Sequence, residues 1–344
     1  MSFANKCSIF IHFVRRIANQ NPYGLLGALG YIVLEFFLGG YGRLRVTSNQ
    51  FSERSNDETK YPNPYNLKKK GYIIWAPDYK TNSAGIRCLY QLCNDLNLQG
   101  YPSFIVGAFL PSPDNLNAPL IGWGSAKKLI NQGFIAVYPE VVKGNPLGAN
   151  RVARWVLNKP GFLGGDLRYA SNEKIFYYSN AYRDAIQNEI AGQLLLPTLD
   201  EEIFYSDGRP PEARSLSCFY IGKSKWKDGY FDRSETLEIT RQFPHRRDLG
   251  HLLRSAKVLY CFDNSTALCY EALLCGCPVV IIPDGTQTKH DYENSELGME
   301  GIAWGLEELS NAKPNPKALG SKVKKQLLLY NDQLFDFIQK TQLE

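Results

Sequence analysis

Short apolar runs alternate along the chain with stretches whose apolar residues recur at helical spacing. Tyr-Ile-Ile-Trp-Ala at 72–76 is long enough for a buried strand. A polar loop at 78–83 follows, and then Leu89, Leu92, Cys93, Leu96 and Leu98 mark a helix that begins near residues 84–86. The same reading predicts a strand at 104–108, a helix at 125–132, a strand at 134–138 and a short helix at 150–157. A looser stretch covers 160–214. The pattern then restarts, with strands at 218–221 and 237–240, a helix at 248–255, a strand at 257–262, a helix at 266–275 and a strand at 278–282. A helix from Pro316 to about residue 340 closes the chain. Alternating strands and helices mean a parallel sheet covered by helices. Two such doubly wound halves in tandem leave a cleft between them, and ligands bind at the carboxyl ends of their strands.

The chain has 344 residues, enough for about two domains at roughly 150 residues each. The expected division is 1–70 as an extension and linker, 71–170 as a first Rossmann-like domain, 171–315 as a second and 316–344 as the closing helix. Hydrophobic residues at 44% and charged residues at 21% exclude general disorder and a collagenous or multi-span membrane protein. The net charge of +5 is unevenly placed: residues 1–70 hold ten Lys/Arg against four Asp/Glu, and the remainder holds 29 against 30. The globular body therefore lacks the basic stripe of a nucleic-acid binder.

The basic extension carries an apolar stretch at 25–40, interrupted by Glu35 and short for a membrane span. It reads as a segment lying on an anionic membrane surface, with a helical hairpin packed on the body as the alternative and a true span third. Eight cysteines sit mostly inside apolar runs and complete no zinc pattern, as reduced cysteines do in a cytoplasmic protein. The expected location is the cytoplasm, peripherally on its membrane.

The stretch from Lys257 to Gly285 is the most informative. It reads as strand, turn, helix, turn, strand, with Asp263-Asn264-Ser265-Thr266 where the strand gives way to the helix. Ser or Thr there would cap the helix, and free backbone N–H groups at its start suit a diphosphate. Glu271, two helical turns on, can accept two hydrogen bonds from a ribose diol. Gly276 ends the helix and Pro278 opens the next strand.

Asp263-x7-Glu271, followed by Ala272-Leu273-x-x-Gly276-x-Pro278-Val279-Val280, resembles the donor-site signature of GT-B fold glycosyltransferases, retaining members in particular, which transfer a sugar from a nucleotide-sugar to an acceptor. The resemblance covers about residues 71–310. It implies that Glu271 holds the ribose and that Asp263, in place of the family's glutamate, lies near the donor sugar. It also implies that Gly222 and a basic neighbour after the strand at 218–221 meet the diphosphate, with Lys223 the first choice and Lys225 the second. Gly85 in Ser83-Ala84-Gly85-Ile86 resembles the glycine that lets backbone approach the donor phosphate. A leaving diphosphate needs positive charge, which a lysine can supply. With no Asp-x-Asp motif in the sequence, metal-independent transfer without a cofactor is expected.

Further candidates are Glu140, which follows the third strand, as a contact to acceptor or donor or as a capping carboxylate, and Arg241, at the nucleotide or the phosphate. Asp166 could be a base or a turn residue. His245 and His251 flank Arg246-Arg247 in a loop that could contact the base, and Asp284 could line the donor pocket. The expected function is glycosyl transfer to a cell-surface polysaccharide or lipid-linked glycan. The rivals are a nucleotide-sugar 2-epimerase of the same fold and a non-catalytic membrane-bound scaffold.

Overall fold

The computed structural model describes residues 69–240 and 245–343. The expectations for the N-terminal extension up to residue 68, and the one for Arg241, lie outside the described residues. Among the described residues no helix is long and apolar enough to cross a membrane.

The first half is a sheet of β1 (Tyr72–Trp75), β2 (Ser103–Val106), β3 (Ile135–Pro139), β4 (Val152–Val156), β5 (Lys174–Tyr177) and β6 (Ile190–Gln193), in the order β2-β1-β3-β4-β5-β6. The second is a sheet of β7 (Leu216–Tyr220), β8 (Thr236–Glu238), β9 (Ala256–Cys261), β10 (Val279–Ile281) and β11 (Ile302–Trp304), in the order β8-β7-β9-β10-β11. Every neighbouring pair in both sheets is parallel. The expected fold class, two tandem doubly wound α/β halves, is therefore present. Both sheets reverse their winding at the same place, between β1 and β3 and between β7 and β9.

Parallel strands covered on both faces bury successive residues, which is why they read as unbroken apolar runs. Ile74 packs with Leu92 and Leu96 of α1 (Ala84–Leu98), whereas its neighbour Ile73 packs on the opposite face with Ala126 and Ile130 of α2 (Trp123–Asn131). Strand β9 does the same in the second half. Leu259 and Cys261 meet the face of α4 (Arg246–Ser255) and α5 (Leu268–Leu274), and Val258 meets Phe219 and Phe262. A four-residue α3 (Asn180–Arg183) and a five-residue α6 (Lys289–Glu293) come between. The closing helix α7 (Pro316–Gln342) joins the halves: Leu319 and Val323 belong to the second core, and Tyr330, Leu334, Phe337 and Ile338 to the first. The seven described cysteines are buried and free.

Two expectations need correction. Within the 150–157 stretch expected as a helix, Val152–Val156 form the interior strand β4, with all five residues buried. The arginine inside the run disguised it. Arg154 is fully buried, forks onto Glu173 at 2.9 and 3.2 Å, and lies between the rings of Tyr138 and Tyr169. The division at residue 170 also fails, because β5 and β6 continue the first sheet beyond it.

Candidate active site

The loops at the carboxyl ends of β1, β3, β7 and β9 face one another across a cavity of about 1070 Å³, ample for a nucleotide carrying a sugar. The two switch points thus supply most of the expected residues. Gly85, Glu140, Lys223, Asp263, Asn264, Ser265, Thr266 and Glu271 all line this cavity. Lys225 does not. It is exposed, because one turn residue separates it from Lys223 and the chain reverses there.

Asp263 organises its own surroundings. Its Oδ2 accepts the Lys223 N–H at 3.0 Å and its Oδ1 accepts the Ser265 N–H at 3.0 Å. The Lys223 ammonium lies 3.5 Å from Oδ1 and donates to the Ser265 carbonyl at 2.7 Å. Asp263 is 2% exposed. Both of its oxygens are engaged by the two loops they tie together. Gly222 makes the approach possible. It has φ +57°, and a Cβ there would stand 2.3 Å from Asp263 Oδ2.

The turn after Asp263 differs from the expected cap. The residue preceding α5 is Ala267, whose side chain caps nothing, and α5 spans seven residues. Thr266 Oγ1 instead accepts the Leu268 N–H at 3.3 Å. Ser265 Oγ donates to Asn158 Oδ1 at 3.0 Å and accepts from Gln287 Nε2 at 2.8 Å, which links the two halves. Asn264 Nδ2 donates to Asp284 Oδ1 at 2.9 Å, while its own buried Oδ1 has no protein partner.

Glu271 is buried, and its Oε1 receives two guanidiniums. Arg246 Nη2 is 2.9 Å away, and Arg87 Nη2, from the first half, is 3.5 Å away. Two further links cross the cleft. Lys159 pairs with Asp291 at 2.7 Å, and Glu296 accepts from Ser179 Oγ at 2.7 Å and from the Asn180 N–H at 2.9 Å.

Glu140 is 3% exposed and its Oε2 accepts the Leu157 N–H at 2.9 Å. Burial pushes its carboxyl up to about 7, restrained by that amide and by the nearby Lys223 charge. Arg154 shapes its loop by donating to the carbonyls of Val142 at 2.7 Å and Gly144 at 2.9 Å. Gly165, at φ +83°, closes over it, since a Cβ there would stand 1.9 Å from the Glu140 carbonyl oxygen. A carboxyl poised near neutrality in a cleft suits acid–base work.

Gly85 lies in the first turn of α1, where an added Cβ would meet only Leu157 at an ordinary 3.7 Å. Packing within the protein does not demand a glycine there. Asp166 accepts the Gly144 N–H at 2.6 Å and serves the loop, as the turn reading holds. His245 reaches the cavity rim, whereas His251 turns away to meet Arg254. Asp284 gathers Asn264, Thr286 and Ser224. Arg87, Asn158, Gln287 and Glu296 are functional candidates that sequence reasoning missed. Arg87 carried one signal, a lone cation one helical turn after the first switch-point loop. Among the described residues no group of three or more His, Cys, Asp or Glu side chains is placed to hold a metal.

No protein-family model matches the chain, and no curated protein does. Solved structures that it resembles in fold include those of glycosyltransferases and of a putative UDP-N-acetylglucosamine 2-epimerase, the last 11% identical with a TM-score of 0.36. AviGT4, involved in avilamycin A biosynthesis, is 14% identical with a TM-score of 0.48, over 78% of this chain and 98% of that one. WaaG, involved in lipopolysaccharide biosynthesis, is 10% identical with a TM-score of 0.44, over 79% and 98%. An α-glucosyltransferase in complex with UDP and a 13-mer DNA is 11% identical with a TM-score of 0.39, over 78% and 94%.

Proposed function

We propose that the protein is a glycosyltransferase that moves a sugar from a nucleotide-sugar to a hydroxyl of a cell-surface or lipid-linked glycan, without a metal. One observation carries the reading: Glu140, Lys223 and Glu271 converge from facing switch points on a single cavity. Glu271 holds the ribose. Glu140 accepts the acceptor's hydroxyl proton as that oxygen attacks the anomeric carbon. The bond from the anomeric carbon to the phosphate oxygen breaks, its electron pair leaves with the nucleoside diphosphate, and Lys223 neutralises the charge that develops. Asp263 positions Lys223 and does not touch the sugar. A single displacement of this kind inverts the anomeric centre, in contrast to the retaining resemblance of the sequence. The basic N-terminal extension brings the enzyme to the anionic membrane surface where such acceptors reside.

The test has two stages. A panel of nucleotide-sugars is screened by thermal shift, and the donor that stabilises the protein is then incubated with glycan acceptors and the product's anomeric configuration determined. Stabilisation by a donor and an inverted product support the reading. A retained product removes Glu140 from its role. Conversion of the donor to its epimer with no acceptor consumed replaces the whole reading with an epimerase.

A further inference from the structure

The cavity contains two largely covered guanidiniums set against one carboxylate. Arg87 and Arg246 reach the same oxygen of Glu271, and both also donate to the Thr81 carbonyl. Their side chains are 12% and 15% exposed. Burial lowers the pKa of Arg87, and the neighbouring Arg246 charge lowers it further. Two like charges sharing one counter-ion out of water leave one positive charge uncompensated, which a second anion would relieve. The two arginines are not equivalent. Arg246 lies at 2.9 Å and rests on the Phe204 ring, whereas Arg87 lies at 3.5 Å and is anchored separately to Thr198 through its carbonyl at 3.0 Å and its hydroxyl at 3.1 Å. Arg87 also stands one turn into α1, beside Ser83, whose side chain caps nothing. The weaker partner of Glu271 is thus the one contributed by the opposite half.

We propose that Arg87 is a specificity-determining residue: it pairs with Glu271 and changes partner only for a ligand that brings a diphosphate. This rests on the reading of Glu271 as the ribose acceptor. A nucleoside that takes the carboxylate from Arg87 returns no negative charge, so a largely desolvated cation is stranded. A nucleoside diphosphate returns that charge a few ångströms away, and Arg87 rebinds it as a fork. The site therefore discriminates against nucleosides by the cost of breaking its own ion pair, and the same exchange ties the first half to the bound donor.

The experiment is calorimetric titration of wild type, R87Q and R87K with a panel of nucleosides, their 5′-diphosphates and inorganic pyrophosphate, after thermal melts confirm folding. In R87Q the preferred diphosphate should bind roughly tenfold to a hundredfold more weakly, the loss of one charge-assisted fork. The matching nucleoside should bind more tightly, about threefold to tenfold, because Glu271 is freed. Equal loss for both ligands, or no change in their ratio, overturns the proposal. If R87Q does not fold, R87K must still narrow the preference, since an ammonium cannot fork, and an unchanged ratio in R87K overturns it equally. Pyrophosphate separates this claim from the ribose reading. Pyrophosphate binding that R87Q loses, with no further gain from any attached nucleoside, overturns the role of Glu271 and leaves the anion role of Arg87 standing. Pyrophosphate bound alike by wild type and R87Q overturns the proposal.

Discussion

Glu140 and Asp263 occupy equivalent places in the two halves. Each follows the central strand next to the winding reversal, β3 or β9, each is almost fully buried, and each lines the same cavity. Their surroundings make them chemically different. Asp263 is surrounded by donors: two main-chain N–H groups at 3.0 Å and an ammonium at 3.5 Å. Glu140 meets an amide at 2.9 Å but is dominated by desolvation, which pushes it up to about 7. A buried carboxylate that bridges two loops holds them together, and one whose desolvation outweighs its donors can exchange a proton near neutral pH. The comparison teaches that a carboxylate's role here depends on which loops it ties and on whether desolvation outweighs its donors, which residue type alone does not reveal.

The most direct way to break this comparison is to neutralise each carboxylate. Glu140→Gln keeps the shape and removes the base, so kcat should fall by roughly 10²–10⁴ while the melting temperature holds or rises. The rate of wild type should climb as pH passes through about 7, where Glu140 loses its proton, and that rise should vanish in the variant. Asp263→Asn should do the reverse, lowering stability more than it lowers the rate of protein that remains folded. A larger loss of kcat in folded D263N than in E140Q would exchange the two roles.

Next in size is Lys223→Ala. Its ammonium connects the two carboxylates, lying near Asp263 and restraining Glu140. Removing it should lower kcat by roughly 10²–10³, because the missing charge is needed most as the diphosphate leaves. Activity of wild type should survive EDTA. Loss that a divalent ion restores would assign the neutralising charge to a metal.

Stability against pH sharpens the contrast. A carboxyl raised from 4.5 to about 7 in the folded state binds its proton more tightly there than in the unfolded chain. Its contribution is therefore full below about pH 4.5 and is lost as pH rises towards 7. That separation corresponds to about 3 kcal/mol, read as a decline in denaturation free energy of wild type relative to E140Q over that interval. Parallel curves for the two proteins would show that Glu140 titrates normally.

The strands were legible where both faces are buried, because Ile73 and Ile74 or Leu259 and Cys261 then read as unbroken apolar runs. β4 was not, since Arg154 satisfies its charge by tertiary contacts that no local pattern carries. β6 was missed for the opposite reason: Ile-Ala-Gly-Gln is a half-buried edge strand with little apolar signal. In the site, Lys223, Asp263 and Glu271 were visible because they lie in one strand-turn-helix unit or on its neighbouring strand. The choice between Lys223 and Lys225 depended on how a turn reverses. Arg87 and Glu296 act only through contacts that close across the cleft, between residues far apart in the chain.

The smallest expected effect concerns the glycines that let each loop close. Gly165 and Gly222 both have positive φ, at +83° and +57°, so alanine costs roughly 1 kcal/mol at either from backbone conformation alone. The steric part separates them. At Gly165 the new Cβ would meet the Glu140 carbonyl at 1.9 Å, a main-chain atom whose loop Arg154 holds in place. At Gly222 it would meet side-chain atoms only, Asp263 Oδ2 at 2.3 Å and Cβ at 2.5 Å and the Tyr220 ring at 2.5 Å, which can yield only as Asp263 gives up its bonds to Lys223 and Ser265. Gly165→Ala should therefore cost about 3–4 kcal/mol and Gly222→Ala about 2 kcal/mol in chemical denaturation. The functional consequences should also diverge. Displacing Asp263 loosens Lys223, so G222A should lower kcat and, by easing that lysine's restraint on Glu140, move the pH–rate midpoint only slightly upward. Displacing the Glu140 backbone moves the titrating group itself, so G165A should shift the midpoint of the pH–rate profile. If G222A moves that midpoint further than G165A does, the two carboxylates are coupled through Lys223 more tightly than their separate loops imply.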